Sequence, residues 1–532
     1  GAESAYFAFY ETSEAAPREP LNRLRWIAAG GCRSLHQVDR ANEESWAELA
    51  LAWRTNPTWW FGILGYDLKN AFEPSLSQRG ESWRGQSDLA LWEPEWVLEC
   101  GRDGRLVQYG ELQPWLDCEP TGSSAAGSVK QEPWAFTWSA SDYYERAKAL
   151  KFHLFRGDIY EVNLCADAQA QGKPDLLALY RSLQCRAEAG MAGLLRFGDH
   201  AVVSASPERY LQVSPDGSMA SQPIKGTAPR HSDSAKDAAA AAALSEAEKE
   251  QSENVMIVDL LRNDMAKVCK PRSVQVRSLF DVMHLPTVDQ MTSSIIGQTL
   301  PDSNLVNLFA ALFPCGSVTG APKSQAMLRI AQWEGVPRNF YCGALGVLSP
   351  GGRAHFNVPI RTVIEQDGVL EYGVGSGITW YSTEEDEKRE WWQKTAFLRQ
   401  ATSDFQVLET LRLEHGQWVN RDEHLHRMAA SANHFSYVFN QNEVQDILQK
   451  LAAEHTQGIF RARALLNAVG EFKVELHEFT LSDSPVQIRL ADQAMLAPSE
   501  FILHKTTHRP EYDFFQRQAQ GDFDVLLFDV RG

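Results

Sequence analysis

The sequence predicts a mixed α/β protein of two or more domains, and three observations carry that expectation. Its 532 residues exceed what one hydrophobic core usually organises. Over the first 400 or so positions, short strand-like runs bounded by turn residues alternate with segments of helical periodicity. Near residue 404 the chain changes character and begins a fresh series of strand, turn and helix. Hydrophobic residues at 44%, with sixteen Trp and twenty-five Phe, supply enough bulk for packed cores and argue against disorder.

Taken in order, residues 1–120 read as mixed short strands and helices, and the apolar WWFGILGYDL (59–68) ends in a turn-like Gly-Tyr-Asp. EPTGSSAAGSVKQEP (119–133) has the Gly, Ser and Pro content of a loop or linker. A helix is expected from about Ser141, where a capping residue precedes helical periodicity in SASDYYERAKALKFHLFRGD. The pattern from 155 to 230 is strand-like, with AVVSASPERYLQV (201–213) showing apolar residues broken by polar turns. Ser232 to about Lys267 reads as helical, helped by the Ala run at 238–243, and a further helix is expected over 384–402. DFQVLETLRLEHGQWVN (404–420) then places strand signals around a His-Gly turn, followed by a helical segment with HLHRMAASA. The expected domains are 1–403, made of an N-terminal region (1–120) and a core (134–400), and 404–532.

A formal net charge of −18 argues against general nucleic-acid binding, which needs clustered Lys and Arg to displace phosphate counterions. It leaves room for an anionic small substrate in a locally positive pocket. The eight cysteines are scattered, with no CxxC pair, so neither a zinc site nor a disulfide framework is suggested and a reducing cytoplasm is favoured. No apolar run approaches bilayer length and the N-terminus has no secretory pattern, so no membrane partner is expected; Gly1 in place of Met points to a trimmed start.

Several segments carry groups suited to chemistry. Glu250 and Glu253 lie three apart, as do Glu387 and Glu390, with Lys394 one turn beyond. On facing helices such pairs would offer hard carboxylate oxygens to Mg²⁺, although spacing alone favours plain solvated faces. Lys225, in SQPIKGTAPR, sits between an apolar Ile and a Gly-Thr turn, where desolvation would lower its pKa and free a nucleophilic amine; an exposed turn lysine is the plainer reading. GSVTGAPKS (316–324) and YGVGSGI (372–378) permit close backbone approach to an oxyanion, but neither has Walker A nor GxGxxG spacing. Arg361 could pair a carboxylate in bidentate fashion.

Together these segments resemble the chorismate-utilising enzymes, a family that includes anthranilate, aminodeoxychorismate, isochorismate and salicylate synthases. The matching text is GDIYEVNL (157–164), SASPERY (204–210), PIKGT (223–227), ENVMIVDLLRND (253–264), FPCGSVTGAPKSQAM (313–327), RNFYCGALG (338–346), FNVPIRT (356–362) and GVGSGI (373–378), in the family's order. The resemblance implies an α/β (α+β) sandwich of two large antiparallel sheets with outer helices and the active site between them. It implies Glu253 and Glu390 as Mg²⁺ ligands, with Glu250 and Glu387 acting directly or through water, and the ion holding the ring carboxylate of chorismate. Arg361, Tyr341 and the backbone at Gly375 and Gly377 would bind the enolpyruvyl carboxylate, with Lys394 and Thr319 nearby. Glu208 would be the general acid that protonates the departing C4 hydroxyl, with a pKa raised by burial.

PIKGT resembles the aminodeoxychorismate synthases of this family, whereas the anthranilate synthases carry PIAGT. The implied reaction has Lys225 attack C2 of chorismate as the C4 hydroxyl leaves, after which ammonia attacks C4 and expels the lysine. Nitrogen then stands para to the ring carboxylate, on the branch toward 4-aminobenzoate and folate. Two positions depart from the pattern: Glu161 replaces a Gln common in the amine-forming members, and Gln290 stands where many have His, with His284 out of register. The tryptophan-regulated members' leucine-leucine-glutamate-serine motif is not clear here, and neither the GxCxG elbow nor HxE of a glutamine amidotransferase is present, so ammonia is expected from such a partner.

FQVLETLRLEHGQWVNRDEHLHRMAASA (405–432) resembles the start of fold-type IV PLP enzymes, and the aminodeoxychorismate lyases among them. The resemblance implies Arg427 at the PLP phosphate and Lys505 as the Schiff-base lysine. The match covers about half of that fold, and DVLLFDVRG (524–532) stops before the glutamate that would partner the pyridine nitrogen. A docking appendage and a once-complete lyase fusion, giving a bifunctional synthase-lyase, stand as equal readings. For the whole chain the rivals are an anthranilate synthase, a non-catalytic scaffold, and a PLP enzyme with an inert N-terminal half.

Overall fold

The computed structural model describes residues 6–12, 24–55, 57–73, 87–111, 134–187, 190–229, 234–285, 288–301, 303–383, 386, 394, 405–435, 437–467, 470–479, 488–491, 504–507, 509, 515 and 524–526. The expected linker at 119–133, Glu387, Glu390 and all but two residues of the expected 384–402 helix lie outside these. The chain divides into two compact units, Gly1–Thr402 and Ser403–Gly532.

Among the described residues, two antiparallel sheets build the first unit. One has eleven strands, with Glu161–Gln171, Val369–Thr379, Thr362–Gln366, His200–Ser206 and Met191–Phe197 adjacent in that order. The other has ten, with Ile224–Pro229 at one end of the path, beside Val288–Gln298. Every residue of His200–Ser206 and of Arg209–Val213 is buried, yet the first strand belongs to one sheet and the second to the other. The chain therefore passes between sheets at Pro207–Glu208, which the unbroken burial on both sides holds in the interior. Leu164 and Val374 from the eleven-stranded sheet, Tyr210 and Phe356 from the ten-stranded one, and Ile257 and Phe309 from helices share one buried cluster.

Local sequence explains the helices that flank the site. Ala140–Phe155 starts where expected, because Ser139 and Asp142 form a reciprocal capping box that satisfies two otherwise orphaned backbone donors. The helical region beginning near 232 is two helices, Ser234–Glu246 and Glu248–Ala266. The break at Ala247, whose backbone is extended, lets the second helix turn Glu253, Asn254, Ile257, Val258 and Leu261 inward as one stripe.

In the second unit, Val407–Glu414 pairs with Gln417–Val419 across the His-Gly turn and with Ile459–Leu466, which pairs with Phe472–Glu478. Helices Arg421–His434 and Gln441–Glu454 come between the second and third of these strands in the chain, and Phe405, Val407, Met428, Phe435 and Tyr437 lie in its core. A short parallel pair joins Ile488–Leu490 to Asp524–Leu526.

Candidate active site

Lys225 owes its position to an irregularity in the edge strand. Ile224 pairs with Thr292 and Thr227 with Gln290, so three steps on one strand oppose two on its partner. The extra residue is the signature of a β-bulge, and Gly226 there has φ +82°, a left-handed conformation that glycine adopts without Cβ strain. A bulge re-aims the side chains at it, and the Lys225 ammonium meets the Glu161 carboxylate from the other sheet. The Lys225 side chain is 10% exposed and that of Glu161 is not exposed at all. Gly377, on the strand beside Glu161, lies against this pair: a Cβ there would stand 2.7 Å from Glu161 Oε1 and 3.1 Å from Lys225 Nζ.

Three carboxylates among the described residues act on the ammonium electrostatically, Glu161 in direct contact and Glu253 and Glu208 through their charge. Burial pulls the Lys225 pKa down, but these charges pull it up by more, and the net direction is upward. The sequence-based expectation that desolvation would free the amine is therefore corrected: in this state Lys225 is a well-compensated ammonium. Glu208 behaves oppositely. Burial raises its pKa to about 7, against hydrogen bonding from Ser317, the charge of Lys225 and hydrogen bonding from the Ile224 backbone. Its Oε1 has no hydrogen-bond partner among the described residues.

Glu253 is 7% exposed, and its pKa is also raised to about 7, first by burial and then by the charges of Glu161 and Glu250, with Lys225 opposing. Thr379 donates to its Oε1 at 3.4 Å. Glu250 stands one turn away on the same helix, and its Oε2 would lie 3.0 Å from a Cβ at Gly226. Glu253 is thus a buried, weakly compensated carboxylate with a second hard oxygen donor one turn away, and this donor set fits a divalent cation of the Mg²⁺ kind. Among the described residues no group of three or more His, Cys, Asp or Glu side chains is placed to hold a metal ion.

A second neighbourhood lies further along the same strand. Thr362–Gln366 pairs with residues 369–372 of Val369–Thr379, so among the described residues that strand beyond Tyr372 is laddered to Glu161–Gln171 on one edge alone. Gly373 has no Cβ because the Tyr341 ring occupies its place, with a hypothetical Cβ 2.2 Å from Cγ. Lys394 donates to the Gly375 carbonyl. Arg361 is held at φ +50°, a strained backbone for a side-chain-bearing residue; burial lowers its pKa and the nearby Tyr372 opposes that. From Gly375 to Gly377 is about 7 Å at about 3.3 Å per residue, the scale of a small ring bearing two carboxylates. Thr319 is buried, and its hydroxyl donates to the Cys315 carbonyl at 2.8 Å, bracing the 316–319 turn.

Other groups support these without having been singled out from the sequence. Arg338 and Glu334 form a buried pair at 2.6 Å, and Arg338 also donates to the carbonyls of Val318 at 2.7 Å and Asn163 at 2.6 Å. Glu334 accepts from the Cys165 amide at 2.8 Å, so one ion pair locks the Glu161 strand to the 316–319 turn. Lys323 bridges Asp264 and the Leu312 carbonyl, joining the RND and PKS segments. Gln290 is buried, and His284 is largely exposed and bonded to Asp289 at 2.7 Å.

In the second unit, Arg427 binds Glu409 through two bonds of 2.6 Å, and His424 joins the same carboxylate at 2.8 Å. Lys505 donates to Thr410 at 3.1 Å. Burial lowers its pKa; Glu409 opposes this, and Arg427 and Arg509 add to it. A half-buried lysine with a lowered pKa, electrostatically coupled to an arginine, fits the imine and phosphate anchors of PLP.

Comparisons with known proteins divide along the same line. The model of the chorismate binding enzyme family matches residues 7–400, and that of the amino-transferase class IV family matches residues 406–532. Aminodeoxychorismate synthase component 1 of Klebsiella aerogenes is 34% identical over 339 residues, which cover 63% of this chain and 74% of that protein. The aminodeoxychorismate synthase of Streptomyces pristinaespiralis is 41% identical over 365 residues, 64% of this chain and 50% of that one. The crystal structure of anthranilate synthase component I from Streptococcus pneumoniae superposes with a TM-score of 0.61 at 22% identity, covering 73% of this chain and 93% of that one, a likeness of fold.

Proposed function

Since this chain belongs to the family of chorismate binding enzymes, we propose that its first domain, residues 1–403, aminates chorismate at C4 to give 4-amino-4-deoxychorismate. The observation that carries the reading is Lys225 aimed by its bulge into the space between the sheets, with Glu208 beside it holding a proton near pH 7. Relatives named aminodeoxychorismate synthase support the choice of product.

Arg361, Tyr341 and the open edge at Gly375 and Gly377 bind the enolpyruvyl carboxylate, and Lys394 holds the Gly375 peptide in place. Lys225 forms its bond to C2 while the C1–C2 and C5–C6 π pairs shift to C1–C6 and C4–C5. The C4–O bond breaks and Glu208 protonates the oxygen, so water leaves. Ammonia, delivered by a glutamine amidotransferase partner, then attacks C4; the π pairs shift back and the bond to Lys225 breaks. Two allylic displacements of this kind place nitrogen para to the ring carboxylate. Mg²⁺ would be held by Glu253 and Glu250, together with Glu390 and Glu387, and would neutralise the ring carboxylate. A dry site strengthens each of these electrostatic contacts.

Residues 404–532 are a lyase-like domain in which Lys505 and Arg427 would anchor PLP, and PLP when bound supplies an electron sink. The described free cysteines suit a cytoplasmic setting. The test is to incubate the chain with chorismate, Mg²⁺ and ammonium, with and without an added lyase, and identify products by mass and chromatography. The reading expects a para-aminated product that retains the enolpyruvyl group until lyase is added. An ortho-aminated aromatic released with pyruvate would make this an anthranilate synthase instead.

A further inference from the structure

We propose that Glu161 is a catalytic base in this site, taking the proton from Lys225 before attack on C2 and returning it when the lysine is expelled; this rests on the covalent reading above. Three observations converge on it. Glu161 is the side chain whose carboxylate touches the Lys225 ammonium, through Oε1. It has no solvent exposure, and its Oε2 has no hydrogen-bond partner among the described residues, where the Lys225 ammonium is the charge bonded to this carboxylate. The Lys225 side chain is 10% exposed, so its proton has little direct path to water.

The other carboxylates facing Lys225 have work that excludes this role. Glu208, from the crossing between sheets, must enter the cycle protonated to release the C4 oxygen as water. Glu253, from the Glu248–Ala266 helix, is the cation ligand of the proposed site. Removing an ion pair from water is costly, which narrows the gap between ammonium with carboxylate and amine with carboxylic acid. Burial thus opposes the carboxylates that hold Lys225 as an ammonium, and the proton that must leave Nζ already lies on a hydrogen bond to Glu161 Oε1, so its path needs no solvent.

The cycle balances. One Nζ–H proton passes to Glu161, and the freed pair on Nζ forms the bond to C2. The adduct nitrogen is then a secondary ammonium, water has left with the Glu208 proton, and Glu208 is a carboxylate. Ammonia attacks C4, the C2–N bond breaks with its electrons going to Nζ, and Lys225 departs as a neutral amine. Glu161 returns its proton to Lys225, and Glu208 takes one from the new C4 ammonium. Chorismate and ammonia have become 4-amino-4-deoxychorismate and water, and both glutamates are reset.

The experiment compares the full-length wild type with Glu161→Gln, Glu161→Asp and Lys225→Ala, using ammonium as donor with free ammonia held constant across pH. A positioned acid or base contributes about 10²–10⁴ in rate. Glu161→Gln is therefore expected to lose about 10² in kcat near neutral pH and, measured as a ratio to the wild-type rate at each pH so that the shared Glu208 limb cancels, to recover by up to about tenfold per pH unit as solvent base replaces the carboxylate. Glu161→Asp keeps a carboxylate and should retain the wild-type profile with a smaller loss. The Glu161 role is overturned if Glu161→Gln keeps the wild-type rate and profile, or if Gln and Asp variants fall equally with the same profile. Lys225→Ala aminating C4 at the wild-type rate would instead sink the covalent reading itself, which separates the two failures.

Discussion

Glu208→Gln removes the titrating proton while keeping the shape of the side chain, and the structure sets the size of two effects. Burial raises the Glu208 pKa to about 7 from an ordinary 4.5, and at 1.36 kcal/mol per unit that gap is about 3 kcal/mol. The sign follows from proton binding. The folded chain holds this proton more tightly than the unfolded one, so the associated stability is fully present below about 4.5 and is lost as pH rises through about 7. Gln has no proton to lose, and the variant should gain on the wild type as pH increases. For a unit of about 400 residues, an unfolding entropy of about 0.8 kcal/mol/K turns about 3 kcal/mol into a change of about 4 °C in Tm. The assay is calorimetry on both proteins at pH 5 and pH 8, reading the difference of differences; the raised Glu253 is common to both and cancels. In turnover, wild-type kcat should fall as pH rises above about 7, while the variant lacks that limb and is slower by about 10²–10⁴. Equal Tm differences at the two pH values would refute the buried neutral carboxyl on which the general-acid assignment depends.

Three further outcomes follow from geometry. Gly377→Ala places a Cβ 2.7 Å from Glu161 Oε1 and 3.1 Å from Lys225 Nζ. The displaced pair should cost about 10² in kcat with a near-normal thermal transition, since a shift of about 1 Å at a reacting group has that effect. Arg338→Met leaves Glu334 buried without its partner and should cost about 3–5 kcal/mol by chemical denaturation, whereas Arg338→Met with Glu334→Leu should cost much less. For the second unit, titration with PLP should give the visible absorbance of an imine in the wild type and not in Lys505→Ala, and Arg427→Ala should weaken the titration. An unchanged spectrum in Lys505→Ala would remove that lysine from the role.

The antiparallel sandwich was legible through ordered motif text rather than through periodicity. Strands His200–Ser206 and Arg209–Val213 are buried at every position, so the alternation that marks a half-exposed strand is missing from both. For the same reason nothing local marks Pro207–Glu208 as a crossing between sheets, although that crossing is what buries Glu208. The meeting of Lys225 with Glu161 spans 64 positions and two sheets, and the upward direction of the Lys225 pKa depends on carboxylates from three separate elements. A turn lysine read alone shows its desolvation and none of its compensation.

Glu334, by contrast, is a buried charge that its helix pattern marks. Ala326, Met327, Ile330 and Glu334 are the buried positions of the Lys323–Glu334 helix, spaced one, three and four apart along one face. A glutamate in register with that apolar face would be too costly to bury alone. Its compensation had to come from a cation within reach, and Arg338 stands four residues on, beyond the Gly335 that ends the helix in a left-handed turn. Arginine can satisfy the carboxylate and still have donors left for backbone carbonyls, as it does at Val318 and Asn163. The pair is therefore a constraint on the active site as much as on the helix. Asn163 lies two residues from Glu161, so the strand that holds the proposed base is fixed from behind by a charge that the sequence pattern alone demands.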